Sequence, residues 1–244
     1  MLNKNKSLVL FSGGQDSTIT LFWALSRFKE VYTLGFNYNQ NHKVEMDCRL
    51  NILNKIKSDF SDFKKKLKDD YIIDLKEINN ITNSSLTNNK KIKMENNLPN
   101  TFVPGRNLLF FNYAAIIAYQ KKIKNIIGGM CETDFSGYPD CRNETIKYQE
   151  KTINLGTEQD FKIITPLMNV NKAEAWEMAF LDYGIDFLEM IIENTHTCYK
   201  GDRKNRQDWG YGCNNCPACN LRSRGWLTFI NKYPKIKEKL YVHS

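Results

Sequence analysis

The chain has 244 residues, 41% hydrophobic and 25% charged, which excludes a disordered polypeptide and is enough to bury the core of one large α/β domain. Its formal charge is +8, but the lysines are scattered over 55–68, 90–93, 121–124 and 232–239, usually beside Asn or Ile; this reads as a solvated surface, and no direct nucleic-acid partner is expected. No run of about 18 apolar residues spans a membrane, the first apolar stretch is too short for a signal peptide, and seven unevenly placed cysteines do not make a secreted disulfide scaffold, so a cytoplasmic location is expected.

Residues 7–11 (SLVLF) form an apolar run that stops at Ser12-Gly13-Gly14, and 17–28 then places Ile19, Phe22, Trp23 and Leu25 at helical spacing. Strand, tight glycine turn and helix are predicted. A second strand is predicted over 31–38 (VYTLGFNY), a helix over 44–56 with Leu50, Leu53 and Ile56 on one face, and a third strand over 71–75 (YIIDL). Residues 79–100 are rich in Asn, Thr, Ser and Lys with few apolar anchors, so a long loop, a candidate lid, is expected over the sheet edge. Helical spacing returns over 108–119, and 125–130 (NIIGGM) reads as a fourth strand feeding the polar segment 131–142. The alternation implies a parallel sheet with helices packed on it. Ligands of such sheets bind beyond the carboxyl ends of the strands, where the polar segments 12–17, 37–42 and 132–142 converge. No repeat is visible. The chain divides into an α/β domain over 1–193 and a cysteine-rich segment over 194–244 packed on the same domain.

The turn Ser12-Gly13-Gly14-Gln15-Asp16-Ser17 carries the strongest chemical signal. Its glycines let the backbone approach a ligand, and the free N–H groups and dipole of the following helix favour an anion. The Lys-Ser/Thr ending of a P-loop is missing, and so is the third glycine of a dinucleotide fingerprint. Without that lysine the turn suits a departing pyrophosphate better than γ-phosphoryl transfer. The candidate ATP-binding residues are Phe11, Ser12, Gly13, Gly14, Gln15, Asp16, Ser17 and Thr18, with Asp16 the natural Mg2+ ligand. A plain strand–helix turn capped by Ser17 is the alternative.

Cys198, Cys213, Cys216 and Cys219 supply the four thiolates that a closed, tetrahedral structural zinc requires. The spacing also admits an iron–sulfur cluster or a redox C-x-x-C pair. Cys48, Cys131 and Cys141 default to small buried hydrophobes, although Cys141 lies inside the candidate site. His42 and His196 read as surface or hydrogen-bonded histidines first; His42 follows a strand end and has the range for proton transfer.

The hexapeptide resembles the SGGxDS signature of the ATP-pyrophosphatase, or PP-loop, enzymes, which adenylate carboxylates, amides or ureido oxygens. The segments 103–107 (VPGRN), 132–142 (ETDFSGYPDCR), 165–168 (TPLM) with Lys172-Ala173-Glu174, and Thr197-Cys198-Tyr199 resemble the 7-cyano-7-deazaguanine synthase family. The match runs in order from Val9 to about Trp226. It implies a Rossmann-like α/β fold of the adenine nucleotide alpha-hydrolase, PP-loop type, an open parallel sheet with helices on both faces and a C-terminal four-cysteine zinc site. It also implies a homodimeric ligase that uses ATP, Mg2+ and a structural Zn2+. Such a ligase converts 7-carboxy-7-deazaguanine and ammonia, through adenylated carboxylate and amide, to the nitrile of queuosine and deazaguanine biosynthesis. Asp16, Arg106 and Lys172 are then the candidate catalytic residues: Arg106 can hold phosphate or carboxylate oxygens bidentately, and Lys172 can neutralise charge at the α-phosphate. The candidate substrate-binding residues are Asp134 and Asp140 as acceptors for a guanidine-like edge, Phe135 and Tyr138 as stacking rings, and Arg142 as a second planar donor. Bracing of the loop by Asp134 and Asp140–Arg142 is the plainer alternative.

Family members usually show Asp-Tyr-Gly-Gln-Arg-His after the second strand, where this chain has Asn37-Tyr38-Asn39-Gln40-Asn41-His42. Asn39 can take a left-handed backbone in place of glycine, but an acid at 37 and a guanidinium at 41 are lost. That leaves open a divergent enzyme that stops at the amide or passes the acyl group to another amine. A PP-loop tRNA-modifying enzyme and a zinc-ribbon nucleic-acid binder are the remaining alternatives. The aromatic-rich stretches 176–188 and 226–233 read either as dimer interface or as core helices.

Overall fold

A computed structural model of the chain describes residues 4–38, 44–82, 84, 94–95, 98–133 and 138–240. The first apolar run becomes β1 (Lys6–Leu10), and α1 (Gln15–Arg27) starts directly after the glycine turn. There follow β2 (Glu30–Asn37), α2 (Val44–Asp59), α3 (Ser61–Lys66), β3 (Leu67–Asp74) and the short α4 (Ile78–Ile81). The middle of the chain holds β4 (Met94–Glu95), β5 (Leu98–Pro99), α5 (Arg106–Lys121), β6 (Asn125–Ile127), α6 (Asn143–Thr157) and β7 (Lys162–Ile164). The last part is α7 (Lys172–Asn194), the hairpin β8 (Arg206–Gln207) and β9 (Gly210–Tyr211), then α8 (Pro217–Lys232) and α9 (Pro234–Leu240).

Five strands form one sheet in the order β3-β2-β1-β6-β7, every neighbouring pair parallel. Successive side chains of a strand point to opposite faces, and β1 shows the consequence. Leu8 and Leu10 pack into a cluster with α5 and α6, whereas Val9 and Phe11 pack into another with α1, α2, α7 and α8. Burial on both faces explains why the β1 sequence is continuously apolar rather than alternating.

Three expectations change. The helix α2 does not bury the predicted Leu50, which is 47% exposed; its inward stripe is Arg49, Ile52, Leu53 and Ile56. An arginine in the first of those positions hides the helical period from an apolar-only pattern. The third strand begins at Leu67, four residues earlier than the pattern suggests, because β3 is the sheet edge, where Lys68 and Asp69 face solvent and Asp70 turns its carboxylate to Arg49. The region 79–100, expected as a continuous loop, contains the end of α4 and the antiparallel β4–β5 ladder; apart from these and Thr82, Ser84 and Asn100, it lies outside the described residues. The sequence pattern does not announce β7, which has only three residues. The aromatic stretches settle as core: Trp176, Phe187, Trp226 and Phe229 are buried together with Val9 and Phe22.

Candidate functional site

A cavity of about 360 Å³ opens beyond the carboxyl ends of β1, β2 and β6. Its floor is the glycine turn. The extension of β1 ends with Phe11, whose N–H bonds the Leu34 carbonyl at 2.8 Å, and the chain then reverses through Gly13 at φ +89°. A Cβ at Gly13 would lie 2.7 Å from both Glu45 O and Arg49 N of α2, so only glycine fits there on both counts. Ser17 Oγ donates to Gly14 O at 3.0 Å and lies 3.1 Å from Ser12 Oγ, which in turn accepts from Gly14 N at 3.3 Å. The turn is thus stapled from inside, and the N-cap of α1 is Gly14, with no side chain bonded to the first-turn N–H groups. An uncapped helix start facing a cavity leaves N–H donors that can hold an anion.

Lys172 approaches the same helix start from the opposite wall, with its Nζ 2.5 Å from Asp16 Oδ2. The placement is local chemistry. Asn171 caps α7 by accepting from Ala173 N and Glu174 N, and Glu174 Oε2 accepts from Asn171 N at 2.8 Å, a capping box that fixes Lys172 as the first helical residue. Behind it, α8 comes so close that a Cβ on Gly225 would stand 2.5 Å from Lys172 Cβ. Across the cavity Arg106, first residue of α5, lies 5.7 Å from the Tyr38 ring centroid and 5.9 Å from that of Phe110, itself stacked on Phe36 at 4.0 Å. Burial works against the Arg106 charge, but Tyr38, Tyr138, Asp140 and Cys141 outweigh it and raise its pKa. The cavity therefore joins a helix N-terminus bearing the Lys172–Asp16 pair to an aromatic wall, flanked by Arg106, that suits a flat base.

The third wall is the segment His196–Tyr199, which also carries the first of the four clustered cysteines. The sulfurs of Cys198, Cys213, Cys216 and Cys219 all lie within 4.8 Å of one another, and Cys213 and Cys219 are 4.0 Å apart. Tetrahedral zinc with Zn–S of about 2.3 Å needs sulfurs about 3.8 Å apart, so the set fits a closed zinc site. Backbone N–H groups of Lys200 and Cys213 point at Cys198 Sγ, and that of Cys219 at Cys216 Sγ, the usual supporting shell for thiolate ligands. His196 is buried; its backbone N donates to Gly13 O at 3.2 Å and its Nε2 lies 3.0 Å from Cys198 O. Burial pulls its pKa down to about 4, so it is a neutral spacer between the cysteine cluster and the glycine turn.

A family model described as "Queuosine biosynthesis protein QueC" matches residues 6–230. This chain belongs to the QueC family. Relatives called 7-cyano-7-deazaguanine synthase include one from Bordetella pertussis, 50% identical over 93% of this chain and 94% of the relative. Another, from a Polaromonas species, is 53% identical over 90% of this chain and 94% of its own length. Among solved structures, a 4-thiouridine synthetase in complex with RNA and bound ATP superposes with a TM-score of 0.53 at 16% identity. That match covers 98% of this chain and 53% of the synthetase chain, and it shows the fold alone.

The cavity gathers the predicted residues unevenly. Phe11, Ser12, Gly14, Gln15, Asp16, Ser17, Arg106, Tyr138 and Lys172 line the one cavity; Gly13 shapes the turn from behind, and Thr18 Oγ1 bonds Gly14 O at 2.8 Å. Tyr138 is held by a 2.5 Å bond between its hydroxyl and Thr101 Oγ1. Asp140 is buried behind the wall, where its Oδ2 accepts from Asn107 N at 3.0 Å, and Arg142 is exposed at the N-cap of α6. Asp134 and Phe135, like Asn39–His42, lie outside the described residues. Among the residues missed by sequence reasoning are the wall-formers Phe36, Phe110, Met130 and Cys131. Their apolar or thiol side chains carry no chemical signal in a linear pattern.

Proposed function

We propose that this chain converts 7-carboxy-7-deazaguanine and ammonia to 7-cyano-7-deazaguanine at the expense of ATP cleaved between its α and β phosphates. The observation that carries the reading is the family membership, with about half the residues shared over nearly the whole chain. The geometry supports it. A carboxylate is a poor electrophile, so its oxygen first attacks the α-phosphorus; pyrophosphate leaves toward the uncapped start of α1, where free N–H groups face it. Lys172 neutralises charge gathering at the α-phosphate, and Arg106 orients carboxylate or phosphate oxygens beside the aromatic wall. Ammonia then displaces AMP to give the amide, whose oxygen is activated by a second ATP and leaves with AMP to give the nitrile. Mg2+ bound at Asp16 would neutralise the triphosphate.

The remaining roles belong to the same proposal. Tyr138, Phe135, Asp134, Asp140 and Arg142 bind or brace the deazaguanine. Cys198, Cys213, Cys216 and Cys219 hold a structural zinc, and residues 194–244 fold onto the 1–193 domain, as the mixed core of Phe22, Trp176, Cys219 and Trp226 suggests. The protein works in the cytoplasm as a homodimer without direct nucleic-acid contact. Exposed Leu109, Ile116 and Tyr119 on α5 and Tyr148 and Leu155 on α6 are the apolar surface for a second copy, checked by light scattering after gel filtration. The deciding experiment is mass spectrometry of products from 7-carboxy-7-deazaguanine, ammonium, Mg2+ and ATP. Nitrile with AMP supports the reading, amide alone points to a divergent enzyme shaped by the altered 37–42 segment, and no turnover refutes it.

A further inference from the structure

Arg49 is fully buried, yet no step of the proposed chemistry uses it. A buried guanidinium is costly unless its donors are satisfied, and here several elements are built to satisfy them. Its Nε donates to the Phe11 carbonyl at 2.9 Å, the last carbonyl before the glycine turn. Its Nη1 donates to Asp70 Oδ2 at 2.7 Å and its Nη2 to Asp70 Oδ1, a bidentate pair from α2 to the edge strand β3. Thr33 Oγ1 donates to the same Asp70 at 2.6 Å. β2 makes room with Gly35, where a Cβ would stand 2.5 Å from Arg49 Nε. The backbone of the same residue abuts Gly13, whose Cβ would meet Arg49 N at 2.7 Å. One residue thus fixes the turn twice, at the carbonyl entering it and beneath its left-handed glycine.

We propose that Arg49, oriented by Asp70 and Thr33, is a positioning residue that holds the Phe11–Gly13 backbone in its anion-binding conformation, so that nucleotide affinity depends on this buried fork. Lysine cannot replace it. An ammonium has the charge but not the planar set of donors that reaches Phe11 O and both Asp70 oxygens together. The inference rests on the reading of the turn as the ATP site. It is tested by calorimetric titration with ATP and Mg2+ in the absence of any carboxylate, so failure of the overall reaction is seen separately in the wild-type product assay. If the wild type binds no ATP, the underlying reading falls; if it binds, the variants judge Arg49.

R49K is expected to melt cooperatively and to bind ATP at least about 10-fold more weakly, with the KM for ammonium changed less than about twofold. Where R49K does not fold, the volume-matched double variant R49M/D70L removes charge and partner together and recovers the melting temperature. Its ATP affinity stays low, which a purely structural ion pair would not produce. Thr33→Val, which only loosens Asp70, gives an intermediate loss. ATP affinity within twofold of wild type in any folded variant at position 49, or parallel rises in the KM for ATP and for ammonium, overturns the proposal.

Discussion

Gly225→Ala tests the placement of Lys172 from a distance. The added methyl would meet Lys172 Cβ at 2.5 Å, its carbonyl carbon at 2.8 Å and its oxygen at 3.0 Å, whereas ordinary contact begins at 3.4 Å. Two of the three atoms are backbone, so α8 or the start of α7 must retreat by about 1 Å. Overpacking of this kind costs about 1–3 kcal/mol, and alanine returns about 1 kcal/mol of helix propensity. The net destabilisation is therefore between about zero and 2 kcal/mol, a fall in melting temperature of at most about 8 °C for a chain of this size. The catalytic cost is larger, because a displacement of about 1 Å of an aligned group costs up to about 10²-fold in rate. Thermal melts and AMP release, assayed with 7-carboxy-7-deazaguanine and ammonium, separate the two effects. A melting temperature above wild type with kcat within twofold would show that the approach of α8 to Lys172 is slack, and the reasoning would fail.

Lys172→Met removes the cation beside Asp16 and is expected to lower kcat by about 10²–10³, the range for losing one charge-stabilising donor. Its melt should change little, since Asp16 is 28% exposed and opens on the cavity, and rates within tenfold of wild type would argue against the assigned role. The thiol of Cys141 is pushed up to about 12, first by burial and then by the Asp140 carboxylate. At pH 8 its thiolate fraction is about 10³ lower than that of an ordinary cysteine, so peptide mass spectrometry should find iodoacetamide labelling slower by that factor, accelerating about tenfold per pH unit up to pH 11. Labelling at the ordinary rate would place Cys141 in a different environment. Metal analysis should give one zinc per chain, and Cys216→Ser or a strong chelator should lower both the melting temperature and the ATP affinity, because the cysteine cluster and the glycine turn share the His196 segment. Chelation that removes zinc yet leaves both unchanged would uncouple them.

The sequence makes the sheet and the glycine turn legible for a physical reason. A central parallel strand is buried on both faces, so β1 must be continuously apolar, and the tight turn after it must carry glycine where a Cβ would strike α2. The cysteine cluster is legible because ligand count and spacing are read along the chain. What pattern reading misses is made of distant pairings. Arg49 looks like a surface residue until Asp70, Thr33 and Gly35 are brought round it, and the bond from Asn107 N to the buried Asp140 joins segments that the linear pattern keeps apart. The edge strand β3 needs no alternation, so its start is set by pairing with β2 rather than by its own residues.

The bond from His196 N to Gly13 O ties an early turn to a segment made much later in synthesis. β1, at the centre of the sheet, likewise waits for β6 on one side. Contacts of such separation form late, after the chain between them has closed its loop. A nascent chain that has left the ribosome only as far as α7 owns every residue of the glycine turn and still lacks the strut that closes it. On the proposed reading of the turn, nucleotide capture arises only once the His196 segment has been made, and truncations that remove that segment, far from the glycine turn in sequence, silence it.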